Sequence, residues 1–418
     1  MDLINTEEKV RRNFKHNYIV NVIDGSFFGC ALGFASFSTV LPLFVSTLTN
    51  SAILIGLIPA FHNIGFLLPQ LFLAKKVGKM ATYKPSVMAY TVHERLPILI
   101  LALIALIIPL IGPQKGLVLT FLLLAWQGLG AGFTANSWQN MINKVIPNEY
   151  LATFFGIQAS AANLLSSGGA IAAGFILENF TQPYNYSICF LIASFCFAAS
   201  WISLNTTREA PHAIRTTGFI ALPFWESITT ILKKDPAFRW YLIVRNLAQF
   251  GTMAFAFYTV YAVRQHGMSE FTVGVMTSVL LITQTIANPL LGWLADRWNR
   301  RYILEAGAIA AGISSLLAWR ATDASPFLVI FILTGIANTV SWGIGIAFTL
   351  SFGSDEERPT YVGLANTLVA PSAILAPLIG GFLADRAGYP VTFVAATVAS
   401  LATAIILHFF VHDPRKGK

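Results

Sequence analysis

Runs of about twenty apolar residues recur along the whole chain, and no other feature restricts its fold as strongly. A bilayer core about 30 Å thick takes roughly 20 helical residues to cross. Backbone in hydrocarbon must bond within its own segment or close into a barrel, and barrel strands need only about 10 residues, so these runs are helices. Twelve are counted, near residues 18–45, 51–73, 94–112, 116–137, 151–177, 184–204, 239–263, 272–295, 302–320, 325–350, 360–384 and 390–411. Composition points the same way: 55% of residues are hydrophobic and 11% charged, with a mean hydropathy of +0.65, against about 25% charged in soluble domains. Soluble globular and disordered chains are thereby excluded. Cys30, Cys189 and Cys196 each lie inside an apolar run and form neither a disulfide framework nor a CxxC spacing.

The net charge of +8 would fit a nucleic-acid partner in a soluble chain. Here the basic residues sit in short loops. With the N-terminus in the cytoplasm, the tails and even-numbered loops hold 22 of the 27 Lys and Arg; the opposite loops hold Lys115, Arg264, Arg320 and Arg386, and only Arg245 lies within a span. The positive-inside rule then puts both termini in the cytoplasm of a plasma (inner) membrane protein, with a lipid rather than nucleic-acid environment. Residues 1–16 are polar and the first run is too long for a signal-peptide core, so no cleavage is expected.

The longest linker, 205–238, divides the chain into an N-terminal six-helix bundle (1–204) and a C-terminal one (239–418). Within it, Phe224, Ile228, Ile231 and Leu232 recur at helical spacing before Lys233 and Lys234, which predicts an amphipathic helix on the membrane surface over 223–234. The halves carry a repeat. Thr153-Phe-Phe-Gly156 matches Thr360-Tyr-Val-Gly363, and at the same offset of 207 Gly174-Phe-Ile-Leu-Glu178 matches Gly381-Phe-Leu-Ala-Asp385. At an offset of 221, Leu73-Ala-Lys-Lys76 matches Leu294-Ala-Asp-Arg297. Duplicated halves with a site near the bilayer midplane are a transporter architecture.

Gly292-Trp-Leu-Ala-Asp296-Arg297-Trp-Asn299-Arg300-Arg301 resembles the GxxxDRxGRR signature of the major facilitator superfamily. Gly381 to Gly388 gives a weaker echo after span eleven, and Gln127-Gly-Leu-Gly-Ala-Gly132 resembles the end of the family's RxxQGxGA pattern. The resemblance implies an all-α membrane fold of twelve helices in two pseudo-symmetric bundles, spans three, six, nine and twelve being peripheral. There are departures. Asn299 replaces the signature glycine, which is tolerable because Asn also enters the left-handed conformation. Lys75 stands where the first-half motif has Asp, Leu124 where span four has Arg, and span five lacks the antiporter Gly-Pro pair.

In this fold Asp296 is expected to sit at a neighbouring helix's positive end, forming a cytoplasmic gate with Gly292, Arg297, Arg300 and Arg301, the arginines pairing with carboxylates such as Glu149 or Glu305. Because Lys75 and Lys76 cannot play the Asp part, Asp355 and Glu356 are expected to oppose them as an inverted latch. Ionisable residues within spans are functional candidates by default. Asp24 and Arg245 each lie about seven residues into a span, roughly 10 Å deep at 1.5 Å per residue, and their offset of 221 places them at equivalent points of the two halves. Asp24 is expected to be either a proton-coupling carboxylate or the partner that neutralises Arg245. His62, midway through span two, would titrate near neutral pH. His93 and Glu94 are expected to cap span three.

Trp126, Gln127, Asn163, Gln249, Tyr258, Gln284, Asn338, Trp342 and Asn366 fall in the cavity-side spans and are expected to line a substrate chamber, while spans three, six and twelve read as lipid-facing walls. The resulting expectation is a monomeric secondary transporter working by alternating access, with a small-molecule substrate, protons or another ion as the coupling species, and no cofactor or resident metal. No Walker A sequence is present, and no clustered nucleophile or acid/base site marks an enzyme. Aromatic content favours export of an amphiphile. The amide-rich spans favour uptake of a polar metabolite, and a non-transporting receptor or assembly factor on the same scaffold is the alternative of another class.

Overall fold

A computed structural model describes residues 2–77, 80–211, 230–349, 351–353 and 358–412, and every regular element among them is helical. In order they are α1 (Asp2–Phe34), α2 (Val40–Leu48), α3 (Ala52–Val77), α4 (Lys84–Ile111), α5 (Pro113–Val145), α6 (Asn148–Asn179), α7 (Tyr184–Asn205), α8 (Pro236–Gly251), a 3-10 turn (Met253–Ala256), α9 (Tyr258–His266), α10 (Glu270–Arg297), α11 (Arg300–Arg320), α12 (Phe327–Thr339), a π turn (Val340–Ile344), α13 (Gly345–Thr349), α14 (Arg358–Ala387) and α15 (Tyr389–Phe410). Among the described residues nine helices are long and apolar enough to cross a membrane. The other three expected spans are one (α1 and α2), which breaks after Phe34, two (α3), whose apolar helix is Ala52–Phe66, and seven (α8 and α9), which breaks after Gly251.

The chain divides into two compact units. The first comprises Met1–Asn50, Phe61–Thr217 and Ser269–Ser278; the second comprises Ser51–Ala60, Gly218–Met268 and Val279–Lys418. Most of the linker helix expected over 223–234 lies outside the described residues. Residues 230–234 are helical, with Ile231 buried against the second unit's core.

In the first unit α1 meets α6 along Gly25, Gly29 and Gly33. A Cβ on Gly29 would lie 2.3 Å from the Ala162 carbonyl oxygen, and one on Gly33 2.4 Å from that of Ser166, so this small-residue seam is what lets the two backbones touch. On another face α1 runs antiparallel to α7 as a ladder of side-chain contacts. The Asn17 amide donates to the Arg208 carbonyl, Asn21 to the Thr207 hydroxyl and Ser203 to the Val20 carbonyl, and Phe28 meets Phe197 edge-on. Helix α4 separates two stripes. Val87, Thr91, Glu94, Ile98, Leu101 and Ala105 are buried, whereas Leu96, Leu99, Leu103, Ile107 and Leu110 form an exposed apolar face suited to acyl chains.

The second unit centres on Phe238, Tyr241, Phe348, Phe352 and Tyr361, joined by edge-on and stacked ring contacts. The Asp235 side chain accepts from the Phe238 amide at 2.9 Å and starts α8. Asn299 starts α11 in the same way, accepting from the Arg301 amide at 3.0 Å. Its φ of −74° corrects the expectation of a left-handed residue: Asn suits this place in the signature because it caps a helix.

Candidate functional site

The strongest constellation lies inside the first unit, where α1, α4 and α7 bring Asp24, Glu94, Arg95 and Ser200 together. Asp24 is 4% exposed, Arg95 8% and Glu94 9%. Arg95 Nη2 lies 3.5 Å from Asp24 Oδ1 and donates to Ser200 Oγ at 2.8 Å, while Ser200 Oγ donates to Asp24 Oδ1 at 2.5 Å. The guanidinium also sits 5.4 Å from the Phe28 ring centre, and Arg95 Nη1 reaches the Thr91 carbonyl at 3.4 Å. Arg95 Nε is buried without a hydrogen-bond partner. Unpaired, either charge would cost several kcal/mol at this burial; paired, they largely offset each other.

This arrangement corrects three expectations. In its own unit Asp24 is paired with Arg95, one of the 22 bases that the sequence assigns to the tails and even-numbered loops. The reason is that α4 begins at Lys84, ten residues before the expected start of span three, so Arg95 falls about three turns inside the helix. For the same reason His93 and Glu94 do not cap the span. Nor are spans three and six plain lipid-facing walls: each carries buried polar groups on its inner face. Arg245, on α8 in the second unit, is half-buried one turn from Tyr241.

His62 Nδ1 lies 3.4 Å from Gln127 Oε1, and the ring sits 4.6 Å from Phe37 and 6.2 Å from Phe66, so His62 and Gln127 do meet, within the first unit. Trp126 Nε1 turns instead to His93 Nδ1 at 3.2 Å, between α4 and α5. Tyr258 is corrected as a chamber residue. Its hydroxyl is buried against Ser314 (3.0 Å) and Ser315 (2.9 Å) of α11, and its ring lies against Phe393 of α15, inside the bundle. Trp342 is 65% exposed and Asn366 exposed, while Asn163, Gln249, Gln284 and Asn338 are half-buried.

Around the signature, Arg301 Nε lies 3.1 Å from Glu305 Oε1, which also holds His408 at 3.2 Å through its second oxygen. Arg300 donates to the Ala347 carbonyl (2.8 Å) and Ser351 (3.0 Å), and Arg297 stacks 4.0 Å over Trp293. Glu149 pairs with Arg11 at 3.6 Å on the surface. A Cβ on Gly292 would meet nothing within 4 Å. The side chains of Asp296, Lys75 and Lys76, and residues Asp355 and Glu356, lie outside the described residues.

Sequence reasoning missed the roles of three further carboxylates. Asp385, in the second unit, accepts from Ser51 Oγ at 2.6 Å and from the amides of Ala52 and Ile53, closing the first turn of α3. Its repeat counterpart Glu178, in the first unit, accepts from the Phe271 amide at 2.9 Å at the start of α10. The offset-207 match was the signal that held both. Glu209 accepts from the amides of Tyr83 and Lys84 and from Lys144 Nζ, all within 2.9 Å; burial and this carboxylate push the Tyr83 phenol up. Among the described residues no group of three or more His, Cys, Asp or Glu forms a metal site.

Apolar helices with lipid-suited faces, a sequence repeat between the two halves and buried charge inside a span define a multi-pass membrane protein. Residues 246–418 match the family model of the Major Facilitator Superfamily. Multidrug resistance protein 1 of Bacillus subtilis is 28% identical over 150 residues, covering 36% of this chain and 38% of that protein. Multidrug resistance protein MdtG of Escherichia fergusonii is 29% identical over 143 residues, 34% of this chain and 35% of that protein. These matches thus span little more than a third of each relative. Over the whole fold, the chain resembles the nucleoside transporter NupG (TM-score 0.75, 13% identity, 94% of this chain and 100% of that one) and the D-xylose-proton symporter (TM-score 0.72, 16% identity, 96% and 98%). The match to the Major Facilitator Superfamily thus covers the C-terminal part of the chain, residues 246–418, and over its whole length the chain resembles such transporters in fold.

Proposed function

We propose that the protein is a secondary transporter of the plasma membrane that moves a small organic solute by alternating access, coupled to protons, and that it exports an amphiphilic compound. The observation that carries this reading is the buried Asp24–Arg95–Ser200 cluster, because charge held inside a membrane span is expensive and marks ion or substrate pathways. Export is favoured by the two relatives described above, each named for multidrug resistance. In this reading the termini are cytoplasmic, the chain works as a monomer, and Arg297, Arg300 and Arg301 hold the cytoplasmic gate. Lys75 and Lys76 oppose Asp355 and Glu356 in the inverted latch, and His62 with Arg245 adds the remaining intramembrane charge.

A second reading is uptake of a polar metabolite, favoured by the fold shared with the D-xylose-proton symporter and the nucleoside transporter. Counterflow in proteoliposomes with panels of lipophilic cations and of sugars and nucleosides separates the two. Exchange of the amphiphile panel alone supports export, exchange of the polar panel alone overturns it, and exchange of neither returns the chain to a non-transporting receptor.

A further inference from the structure

We propose that Glu94, rather than Asp24, takes up and releases the coupling proton, with Asp24, Arg95 and Ser200 as the frame that holds it. The inference rests on the proton-coupled reading above and names the group that performs it. The cluster holds two carboxylates and one guanidinium, all at least nine-tenths buried. Asp24 is committed, since one of its oxygens receives both the Ser200 hydroxyl and the Arg95 guanidinium. Among the described residues Glu94 makes no such ion pair: adjacent helical residues do not face each other, and the Arg95 head turns toward α1 and α7. Glu94 instead lies where α4 touches α5, at Gly130, whose Cβ would lie 2.4 Å from the Glu94 amide nitrogen.

The remaining groups around Glu94 are few. Among the described residues, the charges that bear on it are Asp24 from α1 and Arg95 beside it. Helix α5 has charges only near its ends, at Lys115 and Lys144, and His93 on α4 is turned to Trp126. With Glu94 neutral the cluster carries no net charge; with Glu94 ionised it carries one buried negative charge. The step is a single transfer: hydronium gives its proton to the Glu94 carboxylate and leaves as water. A second observation belongs to this site. Arg95 Nε is buried with no hydrogen-bond partner, so Asp24 and Ser200 do not saturate the guanidinium.

The test uses the full chain in lipid nanodiscs, followed by infrared difference spectroscopy of the protonated-carboxyl band as pH is lowered. The expected result is that the band is lost in Glu94→Gln, shifted in frequency in Glu94→Asp, and retained, displaced in pH, in Asp24→Asn. In proteoliposomes, Glu94→Gln should lower gradient-driven accumulation by about tenfold or more while counterflow stays within about threefold. A band that survives in Glu94→Gln, or one lost in Asp24→Asn and untouched in Glu94→Gln, overturns the assignment. If Glu94→Gln does not fold, an unshifted band in Glu94→Asp overturns it equally. If the wild type moves no solute, the transport reading falls, and the infrared result still decides whether Glu94 titrates.

Discussion

In the first unit, the helices of spans one, three and six are joined by Asp24, Arg95 and Ser200; in the second, their repeat counterparts, spans seven, nine and twelve, are joined by Tyr258, Ser314, Ser315 and Phe393. Both interfaces bury polar atoms and both pair them. They differ in what failure costs. Hydroxyl bonds contribute about 1 kcal/mol each, and an apolar replacement loses little more. Removing one partner of a buried ion pair costs about 3–5 kcal/mol. At mid-span the second unit joins these helices through neutral hydroxyls, its Glu305–His408 contact lying near the helix ends, so the depth of the ion pair is what sets the first unit apart.

The sharpest way to break the comparison is Arg95→Met. It should lower stability by about 3–5 kcal/mol in unfolding followed by circular dichroism in mixed micelles, because Asp24 is left buried without a cation. Asp24→Leu with Arg95→Met should recover most of that loss. Failure of the double variant to recover would mean the charges are structurally required. Tyr258→Phe in the second unit should cost only about 1 kcal/mol in the same assay.

The next difference is backbone contact. Gly29→Ala places a methyl against the Ala162 backbone and should cost about 1–3 kcal/mol through forced separation of α1 and α6. Gly292→Ala in the second unit meets open space and should be neutral or slightly stabilising. Equal effects would sink the seam. The repeat-related caps differ more modestly: Asp385 receives three donors and Glu178 one. Asp385→Asn should therefore cost about 1 kcal/mol and Glu178→Gln a few tenths, since a neutral amide accepts less strongly at a helix start.

How far the sequence could be read follows the same physical lines. Hydrocarbon imposes a length on apolar runs, so the spans and the repeat were legible, with α7 and α15 found almost to the residue. The start of α4 was not, because Lys84, His93, Glu94 and Arg95 look like loop when hydropathy alone is followed. Pro85 in the first turn and Val87, Thr91, Glu94 and Ile98 at helical spacing were the available signals, and that missed boundary hid Arg95 as a partner of Asp24 within the first unit. The breaks after Phe34 and Gly251 are accompanied by local hydroxyl bonds, Ser36 with Ser38 and Thr252 to the carbonyls of Ala248 and Gln249, which hydropathy does not record. Gly174–Glu178 and Gly381–Asp385 were legible as copies, but which helix start each carboxylate would cap was not.

The most local effect separates the loops that join the third and fourth spans of each unit. In the first, Gly112 turns the chain with φ +83°, a conformation that an L side chain resists, so Gly112→Ala should cost about 1 kcal/mol. In the second, the turn is made by a side chain. Asp323 Oδ1 accepts from the Ser325 hydroxyl at 2.6 Å and the Ser325 amide at 2.8 Å, and these bonds hold its carboxyl below the ordinary value. A group depressed in the folded state stabilises it above the unfolded pKa, and that contribution is lost as pH falls through the folded one. The second loop should therefore loosen in acid while the first does not, read as faster amide exchange at 323–326 than at 110–114 once pH is lowered. Asp323→Asn should remove the pH dependence. Because this carboxyl is fully exposed to solvent and screened, global stability should not move with it, and a shift of the whole unfolding transition in Asp323→Asn would mean that the turn is tied to the bundle beneath it.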